Sequence, residues 1–354
     1  MKRQLTGIFL SLIVLSALLT AVFGRPKTEN RYSETFFGVF DTAVELIGYA
    51  DSEETFQTEA QKAKDILASF HRLFDAYNEY DGINNLYVLN RDASNTPVKV
   101  EEEMLEFLEY AQNLQSISPP CEVNVAMGAV LRLWHDARAA FEAGRAATVP
   151  DADALRRAGE HTDFSNVVID REAGTVYYAD PEMALDFGAL AKGYAVERAA
   201  ECLEMGKMTS FLINAGGNVR AGGFPEDGQS WKVGVRNPDA PGEIRDTLYV
   251  SDLSVVTSGD YERWFEADGA RYGHIISPET LYPADDFRSV TVVTRDSGYA
   301  DYLSTRLFLT PYEEGRALLE TLRASAAWDS AEAYWIFPDG TVKMTDGMRK
   351  FLKP

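Results

Sequence analysis

Five short stretches of this chain place carboxylate, ammonium, hydroxyl and imidazole groups at spacings that could do chemistry. In "YADYLSTRLF", Asp301 and Thr305 stand four residues apart, with Ser304 beside them. On a helix that spacing turns both oxygens the same way, and oxygen donors suit Mg²⁺, which keeps water or ligand phosphates in the rest of its shell. A helix cap is the alternative reading of Asp301. In "ALDFGALAKGYA", Asp186 and Lys192 bracket small or apolar residues. Small residues at a helix entrance let a ligand approach the backbone, where unpaired N–H groups and a lysine favour an anion. A packed amphipathic helix would explain the same pattern. Gly216-Gly217 in "FLINAGGNVRAGG" ends a buried strand without the spacing of a dinucleotide fingerprint. Thr257-Ser258-Gly259 follows another strand, and His274 is one of four histidines, a candidate base.

Elements must hold these groups in place. Apolar alternation over 36–50 reads as a half-buried strand, and helical periodicity follows over 60–77, 101–116 and 125–144. From about 165 short strands dominate, among them "VVID", "TVYYA", "FLINAGG", "WKVGV", "LYVSDLSVVTSG", "RYGHIIS" and "SVTVVTR". Within 186–206 a small-residue turn feeds a helix with Ala195, Ala199 and Leu203 on one stripe and Gly206 as its stop. Another spans 312–324, and "AYWIF" with "TVKM" closes a hairpin around "PDG". Helices early and strands late predict an α+β fold, one domain over 36–354 with mixed or antiparallel sheets and a central cleft.

The chain has 55 acidic against 34 basic residues, a formal charge of -21, which excludes nucleic acid as an expected partner. An anionic ligand then needs a local remedy such as a divalent cation, a lysine or backbone N–H groups. Residues 1–24 carry Lys2 and Arg3 and then an apolar run, which predicts an export signal or a membrane anchor, with 25–35 as a polar linker. The expected location is extracytoplasmic, membrane-anchored or secreted. Cys121 and Cys202 are the only cysteines, so one disulfide or two buried thiols are both open.

Taken in order, "LDFGALAKGYAVE", "LINAGGNVRAGG", "VTSGDYERWFEADGARYGHIISP" and "YADYLSTRLF" resemble the ApbE family of FAD:protein FMN transferases. The resemblance extends upstream through "FDTAVELIGYA", "FDAYNEYDGINNLYVLN" and "NVAMGAVLRLWHD". It implies that FAD lies in a cleft with Mg²⁺ at its diphosphate. Asp301, Thr305 and Ser304, with the Ala189 carbonyl, would then supply the metal's oxygens. Asp186 and Lys192 would contact the nucleotide, and Phe40, Tyr77, Ile276 and the Glu122-Val123-Asn124 segment would border the cofactor with Gly216, Gly217, Thr257, Ser258 and Gly259.

The implied reaction joins FMN to a threonine of an acceptor protein, of the FMN-binding domain type, through a phosphodiester, with AMP released. His274 is the candidate base and Asp301 its competitor. Three positions depart from the family pattern: Ser277 and Asn124 replace common aspartates, and Leu281 a common glycine. Loss of the first carboxylate is expected to remove any orientation of His274 by that group. An FAD pyrophosphatase giving FMN and AMP, or an FAD-binding protein without turnover, are the competing expectations.

Overall fold

The computed structural model describes residues 29–117, 123–225, 228–325 and 330–352. The 1–24 leader, Glu122 and the question of a Cys121–Cys202 bond lie outside them. Among the described residues, no helix is long and apolar enough to cross a membrane.

The stretch expected as one strand over 36–50 is a hairpin of β1 (Asn30–Val39) and β2 (Thr42–Ala50). Its two-residue loop, Phe40-Asp41, has φ of 50° and 52°, the backbone of a tight primed turn that usually takes Asn or Gly. With Phe and Asp there, the sequence shows no turn signal. β1 also begins inside the stretch read as linker, because Tyr32, Glu34 and Phe36 alternate inward against solvent-facing neighbours.

The helix expected over 60–77 is α1 (Glu53–Leu73). Ser52 caps it by accepting from the Thr55 N–H, and Glu53 and Glu54 favour its positive end. It stops early because the Asp75 carboxylate accepts from the Tyr77 and Asn78 N–H groups, at 2.7 and 3.1 Å, and bends the chain into a turn. That turn presents Tyr77. There follow α2 (Leu86–Asp92), β3 (Val98–Lys99), α3 (Glu102–Gln115), α4 (Gly128–Glu142), α5 (Ala152–Gly159), β4 (Val167–Asp170) and β5 (Thr175–Tyr178). The second half runs α6 (Ala191–Glu204), β6 (Phe211–Ala215), β7 (Asn218–Gly222), β8 (Trp231–Arg236), β9 (Ile244–Val250), β10 (Leu253–Gly259), β11 (Trp264–Ala267), β12 (Ala270–Gly273), β13 (Ser289–Thr294), α7 (Ser297–Leu309), α8 (Tyr312–Ala324), β14 (Glu332–Ile336) and β15 (Val342–Met344).

An eight-stranded antiparallel sheet in the order β1-β2-β6-β7-β10-β13-β14-β15 forms the frame, with smaller sheets β3-β5-β4, β8-β9 and β11-β12. The expected α+β class and antiparallel pairing are what the molecule has. Alternation sorts the frame's faces: on β2, Val44 and Leu46 join the main core, while Ile47 and Tyr49 pack on the opposite side with Trp231 and Val233 of β8. α1, α6 and α7 lie against the first face.

Where α6 meets α7, Gly193 permits the approach. A Cβ there would stand 2.4 Å from the Ser297 carbonyl oxygen and 2.5 Å from the Asp301 Cβ. Gly193→Ala is therefore expected to destabilise the protein by about 1–3 kcal/mol through overpacking. Thermal unfolding checks this, and an unchanged midpoint would mean that the two helices separate easily.

Candidate functional site

A cavity of about 550 Å³ opens at one end of the large sheet. The β1–β2 turn, the Asp75 turn, α4, the 186–192 turn, the β6–β7 turn, the end of β10 and α7 all border it. It is of a size that takes a small molecule.

One wall is the oxygen cluster. Asp296, not Asp301, caps α7, accepting from the Tyr299 N–H at 2.6 Å. Asp301 sits one turn further on and accepts from the Gly193 N–H at 2.8 Å, so it caps the neighbouring helix α6. Burial pushes its carboxyl above the usual range, while the Lys192 ammonium and the Gly193 N–H pull the other way. Thr305 lines the cavity beside it. Ser258 Oγ is 3.2 Å from Thr305 Oγ1 and 2.8 Å from Ser304 Oγ. Ser304 corrects an expectation: fully buried, it donates to the Asp301 carbonyl at 3.0 Å and stands behind the wall rather than in it.

These donors fit a hard cation. Among the described residues no three His, Cys, Asp or Glu side chains gather as a metal site. What the cavity offers is one nearly buried carboxylate, a threonine and a serine hydroxyl, and Ala189, whose carbonyl precedes the first turn of α6. So sparse a set suits an ion that completes its shell with ligand phosphates and water.

The 186–192 turn differs from its expected role. Four amides at the start of α6 already have protein partners: Leu190 and Ala191 donate to the Phe187 carbonyl, Tyr194 to the Leu190 carbonyl, and Gly193 to Asp301. The helix start is thus not an open phosphate cradle, because the buried carboxylate needs the same dipole end. The anion remedy here is the Lys192 side chain, whose Nζ lies 3.4 Å from the Gly216 carbonyl oxygen. Asp186 folds the turn by accepting from the Gly188 N–H at 2.8 Å, and its other oxygen accepts from the Tyr77 hydroxyl at 3.4 Å. Gly216 and Gly217, with φ of 57° and 88°, make the two-residue β6–β7 turn, and a Cβ on Gly216 would strike Thr42 Oγ1 at 2.2 Å.

His274 follows β12 instead of lying in a longer strand, since the chain leaves the ladder at Gly273 and closes through an Ile276–Pro283 bridge. Its Nδ1 is 3.2 Å from the Arg263 carbonyl oxygen. A carbonyl only accepts, so Nδ1 carries the hydrogen and Nε2 keeps its lone pair. The ring keeps some solvent exposure but is walled in by the cavity; burial, and then Arg263, Arg138 and Lys192, push its pKa from 6.5 down to about 3.

In the ligand-free protein the His274 ring is therefore expected to stay neutral between about pH 8 and pH 5, read from its NMR titration with His274→Asn for assignment. The unfolded chain takes up a proton near pH 6.5 that the folded ring accepts only near 3, so this residue's contribution to stability is lost as pH falls through that window. A ring midpoint near 6.5 would contradict the assignment.

Ser277 does not face the histidine. Its Oγ accepts from the Glu279 and Thr280 N–H groups at 3.2 and 3.4 Å, closing the turn in which Leu281 takes a φ of 63°. The carboxylate of the family pattern is absent, and the hydrogen-bond partner of His274 is the Arg263 carbonyl. Asn124 is spent on structure, donating to the Thr162 carbonyl at 2.7 Å and accepting from the Ala126 N–H at 2.9 Å. Val123, Asn124, Ile276, Thr257, Ser258 and Gly259 do border the cavity, as do Phe40 and Tyr77. Gly217 lies on the far side of its turn, outside this cavity.

Several lining residues escaped the sequence reading. Tyr77 stacks on His135, with ring centroids 4.3 Å apart and planes at 23°, and Arg138 Nη2 is 3.1 Å from His135 Nδ1. Burial, with Arg138 next, lowers the His135 pKa. His71 accepts from the Phe40 N–H at 3.2 Å and packs edge-on to its ring. Arg263 donates to the Phe40 carbonyl at 3.3 Å. The i, i+3 spacing of His135 and Arg138 was the available signal, but it reads equally as a solvated helix face.

The pattern that defines the ApbE family matches residues 40–328. An FAD:protein FMN transferase of Treponema pallidum (strain Nichols) is 37% identical over 281 residues, covering 74% of this chain and 73% of that protein. One of Klebsiella pneumoniae (strain 342) is 35% identical over 233 residues, covering 65% and 70%. The crystal structure of the ApbE protein of Thermotoga maritima superposes with a TM-score of 0.78 at 26% identity, over 92% of this chain and all of that one. The flavin transferase ApbE of Vibrio cholerae gives 0.72 at 23% identity, which supports the fold.

Proposed function

Since the chain belongs to the ApbE family, we propose that it is an FAD:protein FMN transferase, which moves FMN from FAD to a threonine hydroxyl of an acceptor protein and releases AMP. One observation carries the reading. A neutral imidazole with its Nε2 lone pair available and an oxygen cluster built on Asp301 and Thr305 border the same cavity, with Lys192 beside Asp301.

The chemistry is a displacement at phosphorus. The threonine oxygen bonds to the FMN-side phosphorus, its proton passes to His274 Nε2, and the bond to the bridging oxygen breaks so that AMP leaves with that oxygen. Asp301, Thr305 and the Ala189 carbonyl would hold Mg²⁺, with Ser258 steadying Thr305. When bound, the ion neutralises the diphosphate and orients the displacement. Lys192 adds a fixed positive charge beside Asp301 in a chain whose formal charge is -21. Tyr77 and Phe40 offer rings for a flavin to pack on, and burial together with Asp186 keeps the Tyr77 phenol protonated. An extracytoplasmic setting, anchored or secreted through residues 1–24, completes the proposal.

Incubation with FAD, Mg²⁺ and a purified acceptor domain tests it. Flavin fluorescence that stays on the acceptor in a denaturing gel is the expected result. Free FMN would indicate a pyrophosphatase, and unchanged FAD a binding protein; either rejects the transferase.

A further inference from the structure

A second cavity, of about 570 Å³, lies on the opposite face of the large sheet. Ile47, Tyr49 and Leu212 form its floor, and β8 forms a wall. The residues of 229–234 border it without a gap. A strand seen face-on contributes every second residue, so an unbroken run means that the cavity meets the backbone edge of β8. Among the described residues β8 is laddered to β9 alone, which leaves that edge open. An open edge is a template for another strand. Lys232 and Arg236 alternate on the exposed face of β8, and Arg31 borders the same cavity; Glu45 and Glu262 border it too, but Glu262 is paired with Arg236, so the cations remain in excess. Such charges discourage neutral pairing and admit an acidic strand.

The two cavities meet around the end of the sheet. Thr257 and Glu262 border both, while Gly216 borders one and Gly217 the other. Glu262 is held by Arg236 at 2.8 Å and directly precedes Arg263, whose carbonyl anchors His274. A strand laid along β8 toward Arg236 therefore runs toward the segment whose carbonyl anchors the base.

We propose that the β8 edge docks an extended, acidic segment of the acceptor protein, which pairs with β8 and delivers its hydroxyl around the Gly216–Gly217 turn to His274; this rests on the transferase reading above. The test uses the full chain loaded with FAD, and an acceptor domain of the FMN-binding type whose threonine is replaced by alanine. Hydrogen exchange should show the amides of Trp231–Arg236 protected when that domain is added. With the unmodified acceptor, Lys232→Glu combined with Arg31→Glu should raise its KM about tenfold and leave FAD affinity unchanged.

The outcomes separate the two readings. Protection of β8 with no FMN transferred to the unmodified acceptor keeps the docking site and rejects the transferase. Transfer without protection of β8, or with KM unchanged in the double variant, overturns the docking site. No binding and no transfer overturns both. Protection that rises with the protein's own concentration, in the absence of acceptor, assigns the edge to a second copy of this chain and likewise overturns the proposal.

Discussion

Asp301→Ala should lower FMN transfer by about a thousandfold or more, since loss of a metal's charge stabilisation is worth several kcal/mol and each tenfold in rate is about 1.4 kcal/mol. The residue has two jobs, so one variant is not enough. Its carboxylate caps α6 through the Gly193 N–H, and alanine leaves that buried donor unpaired at a cost of about 1–3 kcal/mol. Asp301→Asn keeps an oxygen for the Gly193 N–H and removes the charge. Transfer should be lost in both variants, while the melting temperature falls more in the alanine variant. Isothermal titration with Mg²⁺ and FAD gives a second readout, in which both variants lose the heat that depends on the metal. Near-normal transfer by the asparagine variant would reduce Asp301 to a helix cap.

His274→Ala should slow transfer by about a hundredfold to ten-thousandfold, the usual worth of a positioned base. FAD affinity should change little, since the ring's own hydrogen bond goes to the Arg263 carbonyl and Lys192 and the oxygen cluster remain. Added imidazole should restore part of the rate in proportion to its concentration, which a purely structural histidine would not allow. The competitor for the proton is Asp301, but that carboxylate already accepts from Gly193 and lies against Lys192. A rate within threefold of the unmodified protein would hand the proton to another group, with His135 the nearest in kind.

Local pattern carried the fold class, whereas most of the residues that border the cleft were expected from the family resemblance. Short strand-like runs placed β4, β5, β8 and β13, a helical stripe ended at Gly206, and the i, i+4 pair of Asp301 and Thr305 follows from helix geometry whatever lies around it. It misjudged features that one segment imposes on another. The hairpin turn at Phe40-Asp41 runs against local preference and is held by His71 and Arg263, which are 31 and 223 residues away. Ser304 looked equal to its neighbours until Ser258 claimed it from β10.

Tertiary structure also decided the electrostatics. Nothing in "YADYLSTRLF" says that the start of α6 will take Asp301 as its cap, closing a phosphate cradle that the small residues of the 186–192 turn seemed to promise. Nor does "RYGHIIS" say that His274 will sit among Arg263, Arg138 and Lys192 and so remain neutral. Residue types and spacings fix which groups a helix or strand can present, but hydrogen-bond partners and local dielectric are set by chain segments far apart in sequence, and only packing brings those together.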